Sequence, residues 1–296
     1  MNFSQQLQDY QKAVESALDE YLSVRDFPQR EGLDAMRYSL LGGGKRVRAV
    51  LVLAFAGAFG VDARQAMPFA AALEMVHAYS LIHDDLPCMD DDDFRRGKPS
   101  CHRQFSEATA VLAGDGLLTH AFLTLLREGI AVGIPAEKVV AAGTLLAQGA
   151  GLDGMLGGQI IDLSIEGKTV ERSLHQEMCE LKTGALIRAA CVIGSVLGNA
   201  SKEQMNIVDK YAQKIGLSFQ IIDDILDCVG QQELLGKPIG SDAAQNKTTY
   251  VTLYGLEQAK ELSRQLTAQA LDCLDQLSLA DDFLYGLTRM LLERRF

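Results

Sequence analysis

Proline limits long helices more than any other residue, because it lacks an amide proton and its ring collides with the preceding turn. This chain has only six prolines in 296 residues: Pro28, Pro68, Pro87, Pro99, Pro135 and Pro238. Long intervals are therefore open to uninterrupted helix, and the abundant Leu, Ala, Glu and Gln suit it. Phe3, Leu7, Tyr10, Val14, Leu18 and Leu22 recur every three or four residues and predict an amphipathic helix. Similar patterns predict helices over about 31–41, 46–59, 68–85, 106–128, 136–150, 170–197, 202–230, 249–276 and 281–294. Pro68 is expected in the first turn of its helix, Pro135 at a helix start and Pro87 at a helix break. No useful strand alternation, repeat or linker appears, and 87–101 is too polar and broken to be regular. The expectation is an all-α chain, residues 1–296 forming one domain of ten or more helices in a large bundle.

Charge and cysteine usage exclude some functions. The balance is 28 Lys and Arg against 39 Asp and Glu, a formal −11, which argues against nucleic acid and anionic membrane surfaces as partners. No apolar run is read as long enough to span a bilayer, and the polar, acid-containing start is neither a signal nor a transit peptide. The six cysteines show no CxxC spacing and no zinc ligand set. Reduced thiols in a cytoplasmic protein are expected.

The acids are not spread evenly. Six of the ten residues 84–93 are Asp, in His83-Asp84-Asp85-Leu86-Pro87-Cys88-Met89-Asp90-Asp91-Asp92-Asp93, and a second group is Asp223-Asp224-Ile225-Leu226-Asp227. Asp223 and Asp227, at i and i+4, share a helix face and make a hard oxygen pair suited to Mg²⁺. Asp84 and Asp90 would point about 240° apart on a straight helix, so they converge only if the helix breaks at Pro87. A solvated charge run is the plain alternative for 84–93. It fits 223–227 less well, because Phe219, Ile221, Ile222, Ile225 and Leu226 surround those carboxylates and buried acid needs a cation.

Basic residues accompany both groups. Gly42-Gly43-Gly44-Lys45-Arg46-Val47-Arg48 sets flexible backbone and three cations at a helix start, a good anion site, although without the Ser or Thr of a Walker motif. Arg95-Arg96 follows the first acidic run, Lys182-Thr183-Gly184 interrupts a helical stretch, and Gly236-Lys237-Pro238 and Lys247 follow the second run. Arg suits bidentate phosphate contacts and Lys supplies a point charge. Two acidic motifs on different helices, each with basic neighbours, favour metal-bridged phosphate chemistry.

These segments, GGGKRVR, HAYSLIHDDLPCMDDDDFRRGKP, GQIIDL, LKTGAL, FQIIDDILD and GKPIGSD, resemble the short-chain trans-prenyl diphosphate synthases, and among them the bacterial farnesyl diphosphate synthases. The resemblance runs from Gly42 to the C-terminus. It implies an all-helical isoprenoid synthase fold around a central cavity, a homodimer, and three Mg²⁺ ions bridging the acidic motifs to an allylic diphosphate. It implies Asp84, Asp90 and Asp223 as direct metal ligands, with Asp85, Asp224 and Asp227 binding directly or through water. Arg95, Lys182, Lys237 and Lys247 match positions that hold the allylic diphosphate (dimethylallyl or geranyl), and Lys45, Arg48, His77 and Arg96 match those for isopentenyl diphosphate. Thr183 and Gln220 match positions beside the developing carbocation, and Gln159 and Asp162 line the same cavity. Arg294 or Arg295 would close over the homoallylic site.

The reaction implied is ionisation, condensation and elimination, with released diphosphate rather than a side chain as the base; no Ser-His-Asp or Cys-His set is evident. Tyr79, about 7.5 Å along a helix before Asp84, would form a floor that stops chain growth, with small Ser80 beside it. The resemblance ties such a floor to a fifteen-carbon product. His83 reads either as a partner of Asp84 or as a surface histidine, and Gly149–Gly158 as a close-approach or mobile segment. The rivals are a geranylgeranyl or geranyl diphosphate synthase on the same fold, a terpene cyclase, and a non-catalytic partner subunit. A cyclase would not need the second diphosphate site of Lys45, Arg48 and Arg96.

Overall fold

A computed structural model describes residues 2–168, 170–229, 248–277, 279 and 281–292. The predicted Lys237 and Lys247 and the terminal arginines lie outside these residues. The described helices are α1 (Phe3–Tyr21), α2 (Arg30–Leu40), α3 (Val47–Ala58), α4 (Ala63–Asp84), α5 (Cys101–Gln104), α6 (Glu107–Ala131), α7 (Ala136–Ala150), α8 (Met155–Ile165), α9 (Arg172–Cys179), α10 (Ala185–Leu197), α11 (Lys202–Val229), α12 (Tyr250–Tyr254), α13 (Leu256–Leu277) and α14 (Asp282–Leu292). A π-helical turn, Glu180–Gly184, joins α9 to α10.

α4 is the axis of the bundle. Asp62 caps it by accepting from Arg64 N at 2.8 Å. Its residues are buried almost without break from Ala66 to Val76, as expected of a helix apolar on every side. It packs on α3, α6, α10 and α1. The other half of the core is α10 and α11, with α13 laid along α11. Phe55, Phe69, Leu73 and Tyr211 are among the largest fully buried side chains.

The structure changes several expectations. Pro68 lies inside α4 rather than in its first turn; the helix forgoes one hydrogen bond near its start, where burial of the flanking apolar residues holds it. Gly149–Gly158, read as a close-approach or mobile segment, holds the end of α7 and the first residues of α8. Gly158, within it, does make a close approach, since a Cβ there would fall 2.1 Å from Lys182 N. The helix expected over 249–276 is divided at Gly255, whose φ is +82°. A small antiparallel hairpin pairs Phe94–Arg95 with Lys98–Pro99, and its turn residues Arg96 and Gly97 both have positive φ, as a tight hairpin requires. Finally, two stretches, Glu107–Ala131 and Ala136–Ile165, are long and apolar enough to cross a membrane by length and composition, contrary to the sequence reading. In the structure one face of each packs on α4 or α10, and 39% and 44% of the two apolar windows are buried.

One buried ionic cluster ties four of these elements together. Arg46, at the cap of α3 with φ 52°, is 4% exposed, and Glu74 of α4 is 3% exposed. Arg46 donates to Glu15 Oε1 at 2.7 Å, to Leu40 O at 2.7 Å and to Glu74 Oε2 at 3.5 Å. Glu74 Oε1 accepts from Ala49 N at 3.1 Å, placing negative charge at the start of α3, where the helix dipole favours it. Removing one member leaves buried charge uncompensated. Glu74→Leu is therefore expected to lower the free energy of unfolding by about 3 kcal/mol in urea titrations. A loss below about 1 kcal/mol would show that Glu15 and Leu40 satisfy Arg46 unaided.

Candidate active site

The first acidic motif forms where α4 stops. Asp84 ends the helix, and the chain turns so that Asp90 N donates to Asp84 O at 2.9 Å and Asp91 N to Leu86 O at 3.2 Å. The break at Pro87 thus brings Asp84 and Asp90 to one place, and both are half-buried. Burial, then the neighbouring Asp90 and Asp85, push the Asp84 carboxyl up to about 6, against the opposing pull of Lys182 and Arg95. Asp85 turns the other way: it is 2% exposed and accepts from Arg95 Nε at 2.9 and 3.2 Å. Arg95 also reaches Asp92 at 3.4 Å.

Lys182 approaches the same carboxylates from the opposite side of the bundle. The π turn inserts one extra residue into the α9–α10 helix, a feature often found at functional sites. Lys182 donates to Asp162 Oδ2 of α8 at 2.6 Å. Burial opposes its charge, but Asp162, Asp84 and Asp90 more than offset this and hold its pKa above the ordinary lysine value. Glycines permit the approach: a Cβ on Gly216 would lie 3.0 Å from Gly184 Cα. Gln159, beside Gly158, has a buried Nε2 without a protein acceptor.

From the same turn, Thr183 Oγ1 donates to Gln220 Oε1 at 3.0 Å, Gln220 Nε2 donates to Asp224 Oδ1 at 2.9 Å, and Tyr250 N donates to Asp224 Oδ2 at 2.7 Å. Asp224 and Asp227 are each 5% exposed, whereas Asp223 is half-buried. Both oxygens of Asp224 are therefore engaged by protein donors, as those of Asp85 are. In each Asp-Asp pair the second residue is the more deeply buried and has both oxygens engaged by protein donors, while the first is half-buried.

A second group of cations lies at the start of α3. Arg48 has a buried Nε without a hydrogen-bond partner; burial lowers its pKa, while Glu74 and Asp223 support its charge. The second acidic motif is thus within electrostatic reach of the glycine loop. Burial, then Arg48, Arg96, Arg95 and Arg46, hold His77 well below the usual histidine range, so its imidazole is neutral. Arg96 donates to Gly43 O, and its guanidinium lies against Gly44, where φ is +132° and a Cβ would come within 2.8 Å. Lys45 is exposed, its carbonyl accepting from Gln11 at 2.9 Å. Tyr79 packs edge-on against His83 and Ser80 Oγ donates to His77 O at 2.9 Å.

The donor set fits divalent metal and phosphate. Carboxylate oxygens suit Mg²⁺, and the raised Asp84 carboxyl marks a place short of positive charge. The orphaned Nε groups of Arg48 and Gln159 suit anionic oxygens. The sequence reading missed Glu74 and Glu15, and it counted Arg46 among the cations of an anion site, whereas Arg46 is spent on Glu15, Leu40 and Glu74; the available signal was a lone acid in the apolar run Ala70–Val76.

Residues 30–278 match the polyprenyl synthetase family. The chain is 42% identical over 288 residues to the farnesyl diphosphate synthase of Bacillus subtilis, covering 97% of each chain. It is 44% identical over 279 residues to that of Escherichia coli, covering 94% of this chain and 93% of the relative. Among solved structures it is similar to an FPP/GFPP synthase from Zymomonas mobilis, with TM-score 0.89, 36% identity and coverage of 98% and 99% of the two chains.

The electrostatics carry a pH prediction. A carboxyl whose pKa rises from 3.8 to about 6 on folding penalises the metal-free native state by about 3 kcal/mol once ionised. The penalty is absent below about pH 4 and grows as pH rises toward about 6. Metal-free Asp84→Asn is expected to melt above the parent at pH 7, and the two should converge by about pH 4. Equal melting temperatures at pH 7 would contradict the burial assigned to Asp84.

Proposed function

The chain belongs to the polyprenyl synthetase family, and from that premise we propose that this prenyltransferase makes farnesyl diphosphate. It joins isopentenyl diphosphate to dimethylallyl and then geranyl diphosphate by ionisation, condensation and elimination. The observation that carries this reading is the presence of two groups of cations beside the acidic motifs. Lys182 and Arg95 lie among the acidic residues, and Arg48, His77 and Arg96 surround the glycine loop. Two anionic substrates need two such groups, whereas a terpene cyclase needs one. Intact carboxylates at both motifs speak against a non-catalytic subunit.

Asp84, Asp90 and Asp223 are the residues proposed to hold Mg²⁺, three ions by the resemblance. Asp85, Asp224 and Asp227 support them from behind. Bound there, Mg²⁺ supplies the charge that stabilises a departing diphosphate. Lys182 adds fixed positive charge on the leaving group, already preorganised by Asp162. Arg95 would exchange part of its contact with Asp85 and Asp92 for the allylic diphosphate. The Thr183 hydroxyl proton is committed to Gln220, so toward an electron-poor carbon Thr183 presents oxygen lone pairs. Lys45, Arg48, Arg96 and neutral His77 hold the second diphosphate. No side chain is assigned as base, and the released diphosphate takes the proton. Lys237 and Lys247 belong to this proposal by resemblance alone.

The assembly proposed is a homodimer in the cytoplasm. Leu112, Leu123, Leu126 and Ile130 are exposed and fall on one face of α6, and Val140 of α7 is exposed as well. Light scattering is expected to give twice the chain mass for the parent and the chain mass for Leu123→Glu/Leu126→Glu.

Incubation with Mg²⁺, isopentenyl diphosphate and dimethylallyl or geranyl diphosphate is expected to yield the fifteen-carbon product by mass spectrometry, and EDTA should abolish it. No condensation product, or one indifferent to EDTA, would overturn the reading. Tyr79→Ala is expected to lengthen the product, which separates the farnesyl reading from the geranylgeranyl one.

A further inference from the structure

His83 has no role in the chemistry proposed above, yet it is among the most closely fitted side chains between α4 and α6. Tyr79 and His83 are i and i+4 on α4, and their rings meet edge to face with centroids 5.8 Å apart at 80°. His83 Nε2 donates to the Val111 carbonyl of α6 at 3.1 Å, which fixes the proton on Nε2. The Asp115 carboxylate lies 4.0 Å from the same nitrogen.

The opposite wall is cut to receive this ring. A Cβ added to Gly114 would stand 2.1 Å from His83 Nε2 and 2.4 Å from its Cδ2. No side chain larger than hydrogen can coexist with the observed imidazole. Gly114 is helical and needs no special backbone angle, so its requirement is steric and comes from His83 alone. The contact runs in one line: Gly114 makes the notch, His83 occupies it and bonds α6, and the edge of His83 meets Tyr79.

We propose that His83 and Gly114 are specificity-determining positioning residues that set product length by holding the Tyr79 ring in place. The inference rests on reading Tyr79 as the floor of the chain-growth channel. A floor stops growth only if it cannot swing aside. Tyr79 is half-buried, and His83 is its aromatic neighbour on the side of α6. Removing His83 frees the tyrosine to rotate into the vacated notch and deepens the channel. Gly114→Ala evicts His83 and has the same consequence from the other helix.

The test measures the ratio of twenty- to fifteen-carbon products with Mg²⁺, isopentenyl and dimethylallyl diphosphates, alongside KM, kcat and melting temperature. The variants are His83→Ala, His83→Gln and Gly114→Ala, each in the parent and in a Tyr79→Ala background. His83→Gln keeps a donor for Val111 but offers no ring edge, so it carries the test if the alanine variant does not fold. Each variant is expected to raise the ratio roughly threefold to tenfold, the factor an aromatic pair is worth. None should raise it further once Tyr79 is alanine. Lower activity or melting with an unchanged ratio would overturn the proposal and leave His83 as helix packing. A shift that persists in full in the Tyr79→Ala background would also overturn it, because His83 would then act independently. If Tyr79→Ala alone leaves product length unchanged, the floor reading fails, and with it the premise of this inference.

Discussion

Opposite charges crowd together half-buried against an apolar bundle, and the rest of the structure is arranged around making that tolerable. Asp84, Asp90 and Asp162 surround Lys182, and no one of them is well placed without the others. Burial alone would neutralise an isolated acid or lysine. Together they keep Lys182 charged, yet they leave Asp84 with a raised pKa. Protein cations therefore do not fully balance the carboxylates. That residual imbalance is what a divalent ion would correct, and it costs the metal-free protein stability.

The backbone places these charges more than side-chain length does. The end of α4 at Asp84 and the turn through Leu86–Asp91 fold the first motif onto itself. The π turn at Glu180–Gly184 advances Lys182 and Thr183 out of regular helical phase. Gly158 and Gly216 let neighbouring segments approach that turn to backbone contact. On the other side, the ionic cluster of Arg46, Glu74 and Glu15 fixes the glycine loop on which Lys45 and Arg48 stand. The two groups of cations are held by different devices, although Arg95 of one lies close enough to His77 and Arg96 of the other to act on both.

Much of this was legible in the residues. Proline scarcity and three-to-four spacing gave helices close to those observed, because a helix that buries one face must repeat its apolar residues. Pro87 correctly marked the break that brings Asp84 and Asp90 together. The reading failed where a local signal had a tertiary cause. Pro68 looked like a residue of a helix's first turn, but burial around it carries α4 a turn further back. Glu74 looked incidental in an apolar run because its partners, Arg46 and the Ala49 amide, lie 28 and 25 positions away in sequence.

The sequence by itself determined the helical class, the two acidic motifs and the cations that accompany them. Only the tertiary structure decided which carboxylate of each adjacent pair is tied down by protein donors. Neighbours on a helix point about 100° apart, so Asp84 and Asp85, or Asp223 and Asp224, meet different surroundings, but nothing in the order of letters says which of the two finds donors. Arg95 answers that question for Asp85, and Gln220 and the Tyr250 amide answer it for Asp224. All three donors are remote or belong to other turns, and a carboxylate is committed to the wall only where folding brings such donors to it.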